Sequence, residues 1–267
     1  MKNRPSTSLI ISTYNWPDAL RLCLLSVLNQ TVIPDEVIIA DDGSKDDTKI
    51  LIEEFSKDFP TKLIHVWQPD EGFQLAKIRN KAIAQATGEY IIQIDGDIIM
   101  SPHFIGDHIQ FSKKKTFVRA SRIYINAELS TELLKTNSID VSVFKKGVSN
   151  FFSGLRIPFL WNYFADKYKK HEVIEIHGCN MAFWRKDAIE VNGYDEEFIG
   201  WGPEDKEFIM RLTNLGKKKR FIKQGGIAFH IYHKENSREM LKANEERFYN
   251  TINQKLTTCK TGVLQYL

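Results

Sequence analysis

Apolar positions in the first hundred residues alternate between two rhythms. Short β-favouring runs, "SLIIST" (8–13), "DEVIIA" (35–40), "KLIHVW" (62–67) and "EYIIQI" (89–94), are separated by longer stretches with helical spacing. In the first helical stretch Pro17 suits the opening turn, and Leu20, Cys23, Leu24, Val27 and Leu28 share a face. In the second, Ser44 and Asp47 read as a capping box ahead of a helix that buries Ile50, Leu51, Phe55 and Phe59. The third, "LAKIRNKAIAQATG", is expected to end at Gly88. Strands alternating with helices predict an α/β fold with a mainly parallel sheet covered on both faces. Such sheets bind ligands at the carboxyl ends of their strands. Three polar clusters stand there: Thr13-Tyr14-Asn15, Asp41-Asp42-Gly43-Ser44 and Asp95-Gly96-Asp97.

Beyond residue 100 the pattern is less regular. "TFVRASRIYI" (116–125) reads as one strand. The stretch 144–170 is rich in aromatics and lysines without a clear period. Further on come a strand, a short helix, a glycine-rich loop and a helix that opens at Pro203 and closes near Gly216. The tail from 237 is expected to be helical. With no repeat and no low-complexity linker, the chain reads as one domain (1–267). Its parts are a ligand-binding half (1–100), an acceptor or catalytic half (101–236) and a helical tail (237–267).

Composition narrows the picture. The chain has 267 residues, enough for a large core, and a net charge of only +3, which gives no general affinity for nucleic acid. The cysteines Cys23, Cys179 and Cys259 are scattered and odd in number, so a disulfide framework or zinc site is not expected. No run approaches about 18 apolar residues and the first eight are too short and polar for a signal peptide. A cytoplasmic protein is expected, with peripheral contact at the inner face of a membrane as one reading of the 144–170 stretch and an acceptor lid as another.

The pair Asp95 and Asp97 follows a buried apolar strand. Folding alone gives no reason for two carboxylates there, since they repel and are costly to desolvate. A hard divalent cation with positions open to phosphate oxygens does. A solvated turn is the plain alternative.

Taken in order, "ISTYN", "IIADDGSKDDT", "GFQLAKIRNKAIAQATGEYIIQIDGD" and "GCNMAFWRKDAIEVNGYDEEFIGWGPEDKEF" resemble the family 2 glycosyltransferases of the GT-A fold. The second half resembles the branch that shares its C-terminal module with β-1,4-galactosyltransferases. The likeness runs from about Ser8 to His233. It departs at Pro203, where relatives commonly have a second glycine; a helix N1 position would accommodate the proline.

The resemblance implies a Rossmann-like sheet, a C-terminal acceptor-binding part and a UDP-sugar donor. It places Thr13, Tyr14 and Asn15 along the base, Asp42 as acceptor for the uracil ring, and Asp95 at the ribose or donor sugar. An Asx turn is the other reading of Asp42. Arg79 would reach the nucleotide or diphosphate, or else be an ordinary exposed helix arginine. Asp97 would hold Mn²⁺ or Mg²⁺ with a histidine ahead of the C-terminal helix; His233 is favoured and His230 is its rival. Asn180 and Trp201 would shape the sugar and acceptor pockets, with core packing as the alternative for Trp201. Asp205 would be the catalytic base, as in the related galactosyltransferases, with Glu204 on acceptor hydroxyls; both also suit a helix start.

The implied activity is inverting, metal-dependent transfer of galactose, N-acetylgalactosamine or glucose from a UDP-sugar to a saccharide. The saccharide is lipid-linked in one version, and bacterial surface polysaccharide is the expected product. Two other classes compete. A sugar-nucleotide nucleotidylyltransferase wants a glycine-rich loop after the first strand, and "STYNWPD" has no glycine. A non-catalytic binding module would not need Asp42, Asp97 and Asp205 together.

Overall fold

The computed structural model describes residues 4–165, 167–168, 178–234 and 238–267. The strands are β1 (Thr7–Thr13), β2 (Glu36–Asp41), β3 (Lys62–Trp67), β4 (Tyr90–Asp95), β5 (Ile98–Met100), β6 (Thr116–Ala120), β7 (Arg122–Tyr124), β8 (Asn180–Trp184), β9 (Lys218–Ile222) and β10 (Ala228–His230). The helices are α1 (Pro17–Leu28), α2 (Asp46–Ser56), α3 (Leu75–Gln85), α4 (Phe104–Phe111), α5 (Ala127–Thr136), α6 (Trp161–Ala165), α7 (Arg185–Glu190), α8 (Glu204–Asn214) and α9 (Leu241–Gln254).

Seven strands form the main sheet in the order β3-β2-β1-β4-β8-β6-β9. β3, β2, β1 and β4 are mutually parallel; β8 runs against both β4 and β6, and β6 is parallel to β9. Every residue of β1 and β2 is buried, as expected for strands covered on both faces. Each fully buried Ile or Leu there contributes about 1.5–3 kcal/mol relative to exposure. One face packs Leu20, Leu24, Leu51 and Phe104 from α1, α2 and α4. The other packs Ile78, Ala82, Phe208 and Leu212 from α3 and α8. A smaller sheet, β5-β10-β7, lies over a third apolar cluster that includes Ile99, Ile123 and Phe229.

The chain leaves β1 toward β2 and β3 on one side and returns to β4 on the other, so the strand order reverses between β1 and β4. The register there puts Thr13 opposite Asp41 and Ser12 opposite Asp95, which brings three polar strand ends to one crevice.

Several local expectations are corrected. Ile50 is 62% exposed, and the buried residues of α2 are Thr48, Leu51 and Ile52. There is no capping box at Ser44: its hydroxyl accepts the Asn15 N–H at 2.8 Å, while the Thr48 N–H is taken by Asp47 itself. α3 ends at Gln85, ahead of Gly88. The single strand expected over 116–125 is two, β6 and β7, which belong to different sheets. Pro203 caps α8 rather than occupying its first turn. Residue 237 lies outside the described residues; the tail's helix is α9, and a 3-10 turn follows at Val263–Tyr266. Residues 166, 169 and 170 of the aromatic and basic stretch also lie outside them. Its described part carries two short 3-10 turns, Phe151–Gly154 and Pro158–Leu160, as well as α6. Among the described residues no helix is long and apolar enough to cross a membrane.

Candidate active site

The crevice is floored by Arg79. This side chain is 1% exposed, which overturns its reading as an ordinary surface arginine. Its Nη1 donates to Asp205 at 2.8 Å and Glu204 at 3.4 Å, its Nη2 to Asp95 at 3.1 Å, and its Nε to the Ser12 hydroxyl at 3.3 Å. The ring of Tyr194 lies beneath, 5.3 Å from the guanidinium carbon. One cation thus holds three carboxylates from both halves of the chain. Those carboxylates keep Arg79 firmly charged. Burial, and then the neighbouring Asp205, push Glu204 well above the ordinary carboxylate range, and burial does the same to Asp95.

Asp205 also accepts the Gly178 N–H at 2.9 Å. A Cβ at Gly178 would lie 2.1 Å from the Asp205 carboxylate, so only glycine admits this approach. Asp205 also stands in the first turn of α8, at the positive end of the helix dipole.

On the β1–β2 side, loops are tied to one another. Asn15, at φ 47, gives its N–H to Ser44 and accepts the Lys45 N–H at 2.9 Å. Tyr14 is half exposed, and its hydroxyl donates to Asp70 at 2.9 Å. Thr13 is buried and its carbonyl accepts the Asp42 N–H at 3.0 Å. Asp41, not Asp42, accepts a backbone N–H of this loop, that of Ser44 three residues on at 2.8 Å, and it pairs with His65 at 2.9 Å. Asp42 instead accepts from Gln68 Nε2 at 2.6 Å and the Gln74 N–H at 2.9 Å, and burial pushes it up to about 6. Gln68, Asp70 and Gln74 escaped the sequence reading. Their signal is "QPDEGFQ" after β3, a fourth polar cluster at the carboxyl end of a parallel strand.

Asp97 meets both rival histidines. Its Oδ2 lies 3.2 Å from His233 Nε2 and 3.5 Å from His230 Nε2, and one ligand atom from each residue falls within 4.8 Å of the others. The Lys234 carbonyl takes the His233 Nδ1–H at 2.7 Å, which turns Nε2 toward Asp97. The Asp97 carboxylate pushes His233 up to about 9, whereas burial holds His230 below its ordinary value. Asp97 Oδ1 is buried with no hydrogen-bond donor among the described residues. One carboxylate, two imidazoles and an orphaned oxygen fit a divalent transition metal such as Mn²⁺.

Asn180 is buried, and its amide is committed to the scaffold. Its oxygen accepts from His108 at 3.0 Å, and its nitrogen donates to the carbonyls of Ser121 and Gly226 at 2.8 and 3.0 Å. Trp201 is 38% exposed, so core packing does not account for it. α9 pins its loop, since Asn244 donates to the carbonyls of Ile199 and Trp201 at 3.1 and 3.2 Å.

Residues 8–191 match the family described as glycosyl transferase family 2, and residues 162–234 match one described as N-terminal domain of galactosyltransferase. The chain is 29% identical to the chondroitin synthase of Escherichia coli over 237 residues, covering 84% of this chain and 34% of that protein. It is also 29% identical to the hyaluronan synthase of Pasteurella multocida over 248 residues, covering 84% of this chain and 24% of the other. It therefore spans about a third or less of the length of these relatives. Among solved structures, GalNAc-T7 with UDP, GalNAc and Mn²⁺ superposes at a TM-score of 0.69 and 18% identity, over 94% of this chain and 48% of that one. A mannosyltransferase from Pyrobaculum calidifontis with GDP-Man and Mn²⁺ superposes at 0.66 and 16% identity, over 95% of this chain and 65% of that one. The fold is that of the GT-A glycosyltransferases, and the chain belongs to glycosyl transferase family 2.

Proposed function

We propose that this transferase moves a hexose, with inversion at the anomeric carbon, from a UDP-sugar to a hydroxyl of a saccharide acceptor. The observation that carries the reading is the convergence at one crevice of three groups from distant segments. They are the Asp42 loop, the Asp97–His230–His233 cradle and the Asp205 helix start, with Arg79 tying Asp95 to Asp205. The relatives are named for making chondroitin and hyaluronan, and the structural neighbours hold nucleotides, a sugar and Mn²⁺. These names support a sugar-nucleotide donor and assembly of a polysaccharide, with galactose, N-acetylgalactosamine and glucose as the candidate sugars.

In this scheme Asp42 accepts the uracil N3–H, and the Thr13–Asn15 loop borders the base. Asp97, His230 and His233 would hold a divalent cation, which neutralises charge on the diphosphate. The acceptor hydroxyl attacks the anomeric carbon as its proton passes to the Asp205 carboxylate. The bond from that carbon to the β-phosphate oxygen breaks with its electron pair on UDP. An inverting displacement requires the base on the face opposite the leaving group, by the logic of inverting hydrolysis. Glu204, at the same helix start, would contact acceptor hydroxyls, and the half-exposed Trp201 offers a stacking face for a sugar ring.

The test is incubation with Mn²⁺ and a panel of UDP- and other nucleotide-sugars, with and without saccharide acceptors. UDP release with a product of inverted configuration is the expected result. Pyrophosphate formation from a nucleoside triphosphate would indicate a nucleotidylyltransferase, and a product that keeps the donor's configuration would overturn the single displacement.

A further inference from the structure

β7 and β10 run parallel, with Arg122 opposite Ala228 and Tyr124 opposite the metal-cradle residue His230. Alternation along a strand puts Arg122 and Tyr124 on one face, and the Tyr124 ring meets His230 edge-on at 5.7 Å. Arg122 lies over the Tyr124 ring, 4.8 Å from its centroid; its Nε donates to the Tyr124 hydroxyl at 2.7 Å, and its Nη1 reaches Cys179 Sγ at 3.5 Å. Cys179 is buried between Gly178, which contacts Asp205, and Asn180. Arg122 thus reaches toward the active crevice on two sides, through Tyr124 to His230 and through Cys179 to the Gly178–Asp205 contact.

What sets Arg122 apart is its company. Arg79, Arg156 and Arg211 are each paired with a carboxylate. The polar partners of Arg122 among the described residues are a phenol and a thiol, neither of them a carboxylate. Yet the side chain is half-buried beside the cradle. A partly desolvated guanidinium is costly without a counter-ion, and Nη2 has no hydrogen-bond acceptor among the described residues.

We propose that Arg122, oriented by Tyr124, grips the β-phosphate of the nucleoside diphosphate donor alongside the Asp97–His230–His233 cradle. The proposal rests on the glycosyltransferase reading. A guanidinium matches two phosphate oxygens at once, which a lysine ammonium cannot do. Its fixed charge would also stabilise the diphosphate as it leaves.

The experiment is calorimetric titration of uridine and of UDP, both with Mn²⁺, into the wild-type protein, Arg122→Gln and Arg122→Lys. Wild type should bind UDP more tightly than uridine. Arg122→Gln should lose roughly tenfold to a hundredfold in UDP affinity and keep its uridine affinity, because only the phosphate contact is removed. Arg122→Lys should fall between, and it alone decides the matter should the glutamine variant not fold. Unchanged UDP affinity, or an equal loss for uridine, overturns the assignment of Arg122 while leaving the transferase reading in place. Wild-type protein that binds neither ligand overturns both.

Discussion

Arg79 on α3, itself 1% exposed, donates to Asp205 on α8 at 2.8 Å, joining positions 126 apart in the sequence. Asp205 belongs to the segment expected to activate the acceptor, and Arg79 follows the loop that holds Asp42. The same guanidinium also bonds Asp95. The two halves of the site are therefore one electrostatic unit.

Removing that cation should be severe. Arg79→Gln leaves Asp95, Glu204 and Asp205 facing one another without compensation, and breaking a buried ion pair typically costs about 3–5 kcal/mol. Urea unfolding should show a midpoint lowered accordingly. A variant as stable as wild type would mean that the crevice is far wetter than its burial indicates.

Asp205→Asn keeps the size of the side chain and an oxygen for the Gly178 N–H, but cannot take a proton from an acceptor. Turnover should fall on the order of a hundredfold or more, with UDP and Mn²⁺ affinity close to wild type. Near-normal turnover in this variant, combined with collapse in Glu204→Gln, would exchange their roles.

Glu204 offers a stability test. Burial and Asp205 raise its folded-state pKa above the unfolded value. Its contribution to stability is therefore fully present below the unfolded pKa, near 4.5, and is lost as pH rises through the raised folded value. Glu204→Gln removes this dependence. The melting temperature of the variant minus that of wild type should become more positive from pH 5 to pH 9. A difference that stays flat with pH would show that Glu204 ionises normally in the folded protein.

The sequence made the β1–β4 half of the fold readable because parallel strands are continuous apolar runs and their polar clusters mark the carboxyl ends. Arg79 was not readable in the same way. "LAKIRNKAIAQ" is an ordinary helix by pattern, and the residues that justify burying an arginine in it lie 125 and 126 positions away. The histidines posed a similar problem. Spacing in "AFHIYH" does not say how the chain bends after β10, and that bend lets Asp97 meet both rings. Ile50 failed for a local reason: α2 turns that side chain to solvent, and its apolar seam lies at Leu51 and Ile52. Arg122 is invisible without the structure, since its meaning lies in a Tyr124 and a Cys179 that the sequence does not place beside it.

The two imidazoles make a separable prediction. His230→Ala and His233→Ala should each weaken Mn²⁺ binding by at least tenfold, because each removes one of the three ligand atoms gathered at Asp97. Mn²⁺ titration followed by electron paramagnetic resonance reads this directly, without substrate. A loss confined to one variant would leave the other histidine as a packing residue.

Asp42 gives the last prediction, and its sign follows from protonation. Only the ionised carboxylate is acceptor-only, and it must spare a lone pair for the uracil N3–H beyond those taken by Gln68 and Gln74. Burial holds Asp42 up at about 6, so it is ionised at neutral pH and takes a proton as the solution becomes mildly acidic. A ligand that needs the ionised form must then bind less well as pH falls through that value. Uridine is the appropriate probe, since it carries no phosphate that would titrate in the same range. Its affinity should be level above pH 7 and drop roughly tenfold between pH 7 and pH 5. In Asp42→Ala the affinity should already be lower at pH 7, by about 1.5–3 kcal/mol, and should show no such slope. A wild-type affinity independent of pH over this range would remove Asp42 from the base pocket.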